Sequence, residues 1–454
     1  MLGFKTEIKP SRVQKKQIDR WIGAQNQIYN AKCEEEDYFY GFSKQALSQV
    51  GQRPATNAAY SHLVSYWMRA VPSQILRNGA CRYYESKQRF LSGLSKHPRK
   101  KKGSRRSCRV TNELFEFKQS KDGKQFRVEV KLKRIGKIYF ELEKELKTPK
   151  MLTLSRNGGV YFLSFSYEDG KKVKSQSEVY KELQKRGYKN VQFLGIDRGI
   201  KVQSACSDGQ RYEWSEKQKR QILEKEKKKK RYQRKIARQV ARSQNRKKTV
   251  KKLSKVSAQL SNIRKDFNHQ VSKKIVNTEA EVIVFEDLKL KNMTRSASGS
   301  VEEPGKNVNA KSGLNRSLLS CNLGQQYEFV KYKAIREGKL VLKVNAHGSS
   351  IECRKCAHTD SGNRPTQSEF RCLRCGHEEN ADLQASQVIA QRGLRDFMSG
   401  KVEFLDESRK KIKTTRRRRE RACGEDVRQK GVSSDFAASM KQEPESSKSP
   451  ANAA

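Results

Sequence analysis

The chain has 454 residues, with 99 lysines and arginines against 49 aspartates and glutamates, a formal net charge of +50. That length exceeds a single core and predicts two to four domains, and that charge implies a polyanionic partner. No run of about 18 apolar residues occurs, which excludes a membrane-spanning helix, and the start MLGFKTEIKPSRVQ lacks the apolar core of a secretory leader. An anionic membrane surface is the competing partner; an intracellular chain that binds nucleic acid is expected.

In chain order, a short extended start (GFKTEIKP) precedes a helical stretch over Val13 to Tyr38, with Pro10 and Ser11 at its entry. Ala55 to Leu94 reads as helices, since Leu63, Trp67, Val71 and Ile75 recur at helical spacing and Pro72 breaks or restarts the run. Arg77, Arg82, Lys87 and Arg89 form its other face, solvated or phosphate-facing. His97 to Arg109 is a basic loop. From Leu114 to Tyr167 the period becomes two, with a hairpin signal at Asp122-Gly123, which predicts an antiparallel barrel or sheet. Glu168 to Asn190 is read as a charged connector.

The hydrophobic run VQFLGIDRGI (191–200) then ends on Asp197, and EVIVFED (281–287) ends on Glu286. An acid closing a buried strand is unfavourable unless a cation or proton compensates it. Alternation puts Glu286 with Val282 and Val284, and turns Asp287 the other way as a local cap. Two short strands, VQSACS and RYEWS, flank Asp208-Gly209, where Asp208 is a turn residue. Between the two acids, Glu216 to Asn277 is a long helical region. Its first half is densely basic and its second carries an apolar stripe of Leu253, Val256, Leu260, Ile263, Phe267, Val271 and Ile275. A coiled coil is the alternative, opposed by the Ser243-Gln244-Asn245 break. So many like charges repel unless phosphates neutralise them, so Lys228, Arg231, Arg234, Lys235, Arg238, Arg242, Arg246 and Lys247 are the expected nucleic-acid contacts. Thr294 to Ser317 is a Gly/Ser/Asn loop of lid or disordered type, followed by a helix over Leu318 to Gly338 and a strand, LVLKVNA. Beyond about Gly400 the composition predicts disorder.

Of the ten cysteines, Cys353, Cys356, Cys372 and Cys375 form two CxxC pairs separated by fifteen residues, the pattern of a structural zinc ribbon. Four sulfurs complete a tetrahedral shell, which makes His358 and His377 bystanders and leaves no position for a catalytic water. Cys33, Cys81, Cys108, Cys206, Cys321 and Cys423 read as ordinary thiols. A third acid, Asp382, lies at a helix start in ENADLQASQVIA, where an N-cap role competes with a catalytic one. Three acids meeting at the carboxyl end of an open sheet could hold two Mg²⁺ about 3.5–4 Å apart and hydrolyse a phosphodiester. No phosphate-binding P-loop and no nucleophile elbow occurs, which argues against ATP use and serine hydrolysis.

With these residues in place, the sequence resembles TnpB, the transposon-encoded OrfB family of RNA-guided nucleases. The likeness spans nearly the whole chain through LGIDRGI (194–200), RKDFNHQVSKKIV (264–276), VIVFEDLKLKNM (282–293), KSGLNRSLL (311–319), YKAIREGKLVLKV (332–344), DSGNR (360–364) and CGHEENADLQAS (375–386). It implies an α+β multidomain fold: an N-terminal wedge β-barrel with a helical recognition insert, then an RNase H-like (RuvC) α/β domain with an inserted zinc ribbon. The implied boundaries are 1–50 and 99–185 for the wedge, 51–98 for the insert, 186–350 for the nuclease domain with basic helix and lid loop, 351–378 for the ribbon, 379–400 for a closing helix and 401–454 for a basic disordered tail.

The resemblance further implies Asp197, Glu286 and Asp382 as a Mg²⁺-binding catalytic triad and the four cysteines as ligands of a structural Zn²⁺. It implies a guide RNA derived from the transposon end as cofactor, double-stranded target DNA as partner with selection by base pairing, and a prokaryotic cytoplasmic location at the nucleoid. A compact type V CRISPR effector, a non-cutting RNA-guided repressor and a strand-transferring transposase are the alternatives. The sequence departs from the family at Gln384, where Asn is usual, at HGSS (347–350), where Tyr-Thr-Ser or similar is common, and at CAH (356–358), where CG is usual.

Overall fold

The computed structural model describes residues 2–43, 66–101, 106–298 except 124, 144 and 169, and 305–402. Leu63, Cys423 and the tail after 402 lie outside the described residues. The chain divides into two units, residues 1–23 with 105–406 and residues 24–104 with 407–454.

The first unit begins with β1 (Leu2–Ile8) and the opening turns of α1 (Arg12–Ser43). Ser11 and Gln14 cap this helix reciprocally, backbone N–H to side-chain oxygen at 2.8 and 3.3 Å. The second unit pairs the remainder of α1 with α2 (Ser73–Leu91), which starts directly after Pro72. A β-carbon on Gly79 would lie 2.7 Å from the Gln25 carbonyl oxygen, so only glycine lets the two helices meet there. Trp67 is exposed on a 3₁₀ turn (Tyr66–Ala70) while Val71 and Ile75 are buried, so the predicted apolar stripe does not continue through Pro72. The expected basic face of α2 is partly consumed inside this unit: Arg82 donates to Gln25 and Lys87 pairs with the buried Glu36 at 2.7 Å.

Back in the first unit, the alternating segment forms β2 (Arg106–Thr111), β3 (Phe115–Asp122), β4 (Gln125–Leu132), β5 (Gly136–Leu142), β6 (Met151–Asn157) and β7 (Val160–Tyr167). The end of the expected basic loop is thus strand β2, paired with β6. The strands make two antiparallel sheets, β1-β7-β6-β2 and β3-β4-β5, and not the closed barrel that was expected. Among the described residues no ladder joins the two. The sheets meet instead through rings, Phe4 with Phe140 at 6.0 Å and Phe117 with Phe165 at 5.8 Å. Aromatic side chains from the two sheets fill the space between them where no ladder forms.

The charged segment read as a connector contains a helix, α3 (Gln176–Arg186), with a capping box at Ser175 and Glu178. Its polar face hid a buried one, Val179, Tyr180 and Leu183, which packs on the sheet that follows. That sheet consists of β8 (Phe193–Asp197), β9 (Ser204–Cys206), β10 (Arg211–Tyr212), β11 (Val282–Glu286) and β12 (Leu340–Val344), in the order β10-β9-β8-β11-β12. β8, β11 and β12 run parallel, and all five residues of β11 are buried, the expected state of a strand covered on both faces.

Between β10 and β11 the predicted helical region is two helices, α4 (Glu216–Ala237) and α5 (Gln244–Val276), the latter capped by Ser243. The expected Gly/Ser/Asn loop turns helical early: α6 (Leu290–Met293) precedes α7 (Val308–Cys321), and α8 (Leu323–Arg336) follows across Asn322. Asn322 sits in the left-handed region at φ 51°, which ends one helix and starts the next where a single helix was predicted. The chain closes with β13 (Glu369–Arg371), β14 (Glu378–Asn380) and α9 (Ala381–Met398). Phe267, Val271 and Ile275 of α5, with Tyr327 and Val330 of α8, bury Leu194, Ile196, Ile283 and Phe285 on one face. On the other, α3 with Ile389 and Phe397 of α9 covers Val282, Val284, Leu340 and Leu342.

Candidate active site

Alternation along the parallel strands decides where the acids point. Leu194 and Ile196 of β8 and Ile283 and Phe285 of β11 face α5 and α8. Asp197 and Glu286 therefore face the α9 side, and the register Phe285 with Ile196 puts the two acids one step beyond the last paired residues. α9 lies directly on this face because two glycines remove the side chains that would hold it off. A β-carbon on Gly195 would sit 2.0 Å from the Ser386 carbonyl oxygen, and one on Gly393 would sit 2.4 Å from Val284 Cγ2. The close crossing delivers Asp382, in the first turn of α9, to the end of β8.

Asp382 is not the cap of its helix. Asn380 takes that role, its side chain accepting from the N–H groups of Asp382 and Leu383 at 3.2 and 3.4 Å, which leaves the Asp382 carboxylate free of the cap. It lies 3.4 Å from Arg211 and 3.5 Å from Arg364. Asp287 caps nothing in the described structure either; it pairs with Lys343 at 2.9 Å. Asp208 behaves as predicted, accepting from the Gln210 N–H in a turn.

The three sequence-nominated acids share one electrostatic environment. Burial pushes the carboxyl of Asp197 up to about 7, and the neighbouring Glu286 and Asp382 add to the rise, while Arg364 and Arg198 oppose it. Burial likewise raises Glu286, against a hydrogen bond from Ser349 and the charges of Arg198 and Arg392. A buried carboxyl whose ionisation is penalised by two neighbouring acids, as at Asp197, fits a cation better than a set of salt bridges.

Four residues of this site carry no sequence signal of their own. Arg198, next to Asp197, is 8 % exposed and donates to the carbonyl oxygens of Glu286 at 2.7 Å and Leu323 at 3.2 Å. Its guanidinium lies 5.2 Å from the Phe285 ring and 5.7 Å from the Tyr327 ring. Ser349, in the turn before the first cysteine, donates to the Glu286 carboxylate. Arg211 and Arg364 flank Asp382. All four entered the sequence reading only as members of longer stretches: Arg198 in LGIDRGI, Arg364 in DSGNR, Arg211 in RYEWS and Ser349 in the departing HGSS. Gln384, the other departure near the site, is fully buried and structural: it donates to the Glu352 carbonyl oxygen at 3.0 Å and meets His377 at 3.2 Å.

Cys353, Cys356, Cys372 and Cys375 form a separate cluster, with all four sulfurs within 4.8 Å of one another. The Cys353–Cys375 and Cys356–Cys372 separations are 3.6 and 3.5 Å, near the roughly 3.8 Å edge of a tetrahedron with 2.3 Å metal–sulfur bonds. The two halves have the same backbone: Cys353 N–H donates to the His358 carbonyl and Cys372 N–H to the His377 carbonyl, both at 2.9 Å. Burial opposes ionisation of Cys372, but hydrogen bonds from the N–H groups of Cys375 and Arg374 and from the neighbouring Cys356 and Cys375 thiols together pull the Cys372 thiol below its usual range. His358 meets Asn363, and His377 meets Arg354, Glu379 and Gln384, so both stand outside the sulfur set.

Of the predicted nucleic-acid contacts, Arg231, Arg234, Lys235 and Arg238 line one open groove along α4 together with Lys227 and Lys230. Lys228, Arg242 and Lys247 are exposed outside that lining. Arg246 is spoken for: its guanidinium donates to the carbonyl oxygens of Ile236 and Gln239, both at 2.8 Å, and holds the turn between α4 and α5.

Comparison with known proteins follows the same geography. The family model OrfB_IS605, described as a probable transposase, matches residues 173–297, the span holding Asp197 and Glu286. The model Cas12f1-like, TNB domain, matches 324–389, the span holding the four cysteines and Asp382. The chain is 29% identical over 407 residues to the putative RNA-guided DNA endonuclease InsQ of Escherichia coli (strain K12), covering 88% of this chain and 94% of that one. It is 29% identical over 136 residues to the CRISPR-associated endodeoxyribonuclease Cas12f1 of Sulfoacidibacillus thermotolerans, 29% of this chain and 28% of that one. Among solved structures, the Cas12f1-sgRNA-target DNA complex matches with TM-score 0.50 at 13% identity, over 83% of this chain and 82% of that one, a likeness of fold. The chain thus resembles the transposon OrfB proteins and the RNA-guided endonucleases akin to them. No helix among the described residues is long and apolar enough to cross a membrane.

Proposed function

From this likeness to OrfB transposon proteins and an RNA-guided endonuclease, we propose that the chain is a transposon-associated, RNA-guided DNA endonuclease. In this reading the five-stranded sheet with its helices is an RNase H-like (RuvC) nuclease domain, the cysteine module is a zinc ribbon inserted before α9, and the two open sheets with the α1–α2 unit are the wedge and recognition parts. A guide RNA from the transposon end and double-stranded target DNA are the partners, at the nucleoid of a prokaryotic cell. One observation carries the chemistry: Glu286 and Asp382, from two distant segments, both raise the proton affinity of the buried Asp197 at a single sheet end.

The three carboxylates would hold Mg²⁺, which supplies an activated water and stabilises charge on the leaving 3′-oxygen. Each acid is fixed by its own device. Asp197 is carried by a strand pinned beneath α9 at Gly195. Glu286 ends a fully buried strand whose last carbonyl is held by Arg198. Asp382 stands in the first turn of α9, where the helix dipole favours negative charge. The groove of α4 would bind phosphates through Arg231, Arg234, Lys235 and Arg238, with Lys228, Arg242 and Lys247 extending the basic surface; nucleic-acid binding then weakens steeply with salt. Four thiolates fill a zinc shell and leave no site for water, a structural role.

The test is cleavage. The protein purified with RNA from its own locus, given Mg²⁺ and a matched duplex beside a permissive flanking motif, cuts that duplex; Asp197→Ala abolishes cutting and retains RNA binding. An intact matched target with a sound fold refutes the reading. The match to the Cas12f1-like domain favours a CRISPR effector as the second reading, and a repeat array beside the gene distinguishes it.

A further inference from the structure

Glu286 is held from two sides, and only one hold belongs to the sheet. Its side chain receives a hydrogen bond from the hydroxyl of Ser349, a residue outside β11 and β12, in the turn that leads into the cysteine module. Ser349 is 3 % exposed and Glu286 6 %, so water does not compete for the contact. The hydroxyl has one proton and two acceptors in reach, the Glu286 carboxylate and, at 3.2 Å, the Ala346 carbonyl. The shorter contact and the stronger acceptor are both the carboxylate.

The turn that carries Ser349 is itself clamped. Gly348, at φ 72°, lets its carbonyl accept from the N–H groups of Ile351 and Glu352 at 3.1 and 3.0 Å. Glu352 is tied to α9 through Arg392 and through Arg395 at 2.8 Å, and its carbonyl receives Gln384. Cys353 follows at once. The hydroxyl is therefore presented by a turn fixed to α9 on one side and to the first sulfur ligand on the other. A carboxylate with two oxygens and a free χ3 rotation has a broad orientation preference; a buried donor on one oxygen selects one orientation and leaves the other oxygen free.

We propose that Ser349 is a positioning residue of the metal site, which orients Glu286 so that one carboxylate oxygen is committed to the serine and the other to a divalent cation. The proposal rests on the metal-site reading of Asp197, Glu286 and Asp382. Partners of metal-binding carboxylates outside the ligand set are worth about 10–100-fold in metal affinity or activity.

The experiment titrates the intact chain with Mn²⁺, read by the loss of the free-ion electron paramagnetic resonance signal, with no nucleic acid and no turnover. Ser349→Ala weakens Mn²⁺ binding by about 10-fold or more, while Ser349→Thr, which restores a hydroxyl, stays within about threefold of the parent. Because the site is buried, thermal unfolding and bound zinc are measured alongside. Should the alanine variant misfold, Ser349→Cys, similar in size and a weak donor, carries the same expectation of weakened binding. Parent-like Mn²⁺ affinity in a folded Ser349→Ala or Ser349→Cys chain overturns the proposal, as does failure of a folded threonine variant to recover it. The underlying reading fails differently: parent and Glu286→Gln then bind Mn²⁺ equally, or neither binds.

Discussion

Two sets of acidic groups are packed together in this chain, and they are assembled in opposite ways. The four thiols come from one stretch, 353 to 375, in two knuckles of matching backbone geometry. The three carboxylates come from positions 197, 286 and 382, brought together by a sheet, a strand register and a helix crossing. In the knuckles a bound metal would be the core, since among the described residues only Phe370, Ala381 and the cysteines themselves make up the buried cluster there. Under the carboxylates the sheet is already packed on both faces before any ion arrives. The lesson is that one cation should hold its fold together, whereas the other should merely relieve a repulsion that the fold tolerates.

The largest expected effect tests the first half of that contrast. Stripping zinc with a strong chelator, or Cys372→Ser, removes binding free energy of the order of 10 kcal/mol that is coupled to folding of the module. Proteolysis within 347–380 and a large loss of thermal stability follow, whereas withdrawing Mg²⁺ leaves the thermal midpoint nearly unchanged. Equal responses to the two withdrawals would erase the distinction.

Next comes Gly195→Ala. Its new methyl would meet the α9 backbone at 2.0 Å, and overpacking of this kind costs about 3 kcal/mol or more where backbone must move. Thermal unfolding and loss of cutting report it together.

A smaller effect of opposite sign is expected at Asp197. Its folded carboxyl is raised to about 7 against roughly 4 in an unfolded chain. Ionisation is thus disfavoured by folding, and the metal-free protein loses stability as pH rises through the window from 4 to 7. Asp197→Asn removes that loss. It stabilises the metal-free chain by roughly 1–3 kcal/mol at pH 8, has little effect near pH 4, and abolishes cutting. Saturating Mg²⁺ erases the advantage; an asparagine variant no more stable than its parent at pH 8 without metal contradicts the electrostatic picture.

The smallest effect compares the two knuckles directly. Ala357 and Gly376 occupy equivalent left-handed positions at φ 56° and 65°, a conformation that disfavours a β-carbon by about 1 kcal/mol. Ala357→Gly should raise zinc-loaded stability by up to about 1 kcal/mol, and Gly376→Ala should lower it by a similar amount.

How much could be read in advance follows the same division. The knuckles, the apolar stripe of α5 and the Asp122-Gly123 hairpin were legible because their signals are local in sequence. Asp197 and Glu286 were legible as acids at the ends of buried strands, but their meeting with Asp382 depends on Gly195 and Gly393, whose role is visible only once α9 lies across the sheet. The helix α3 was hidden behind its charges, since three buried apolar residues among eleven make a weak period. Arg198 looked like any arginine beside an acid; its burial between Phe285 and Tyr327 is a property of packing. Alternation left barrel and sheet open, since it tells which residues face inward and is silent on whether the last strand returns to pair with the first; the closed barrel implied by the resemblance is what the two sheets correct.

The order of the acids along the chain has a consequence for synthesis. Chains leave the ribosome amino end first, so Asp197 and Glu286 emerge with β8 and β11 well before the cysteine knuckles and α9. Until α9 arrives, Gly195 faces no helix, Asp382 is absent and the turn bearing Ser349 lacks the Arg392 and Arg395 contacts that tie it down. On the proposed reading, a nascent nuclease is chemically silent through most of its translation and becomes competent only when its last described helix docks, a safeguard built into the order of its segments for a cell whose genome lies within reach of the ribosome.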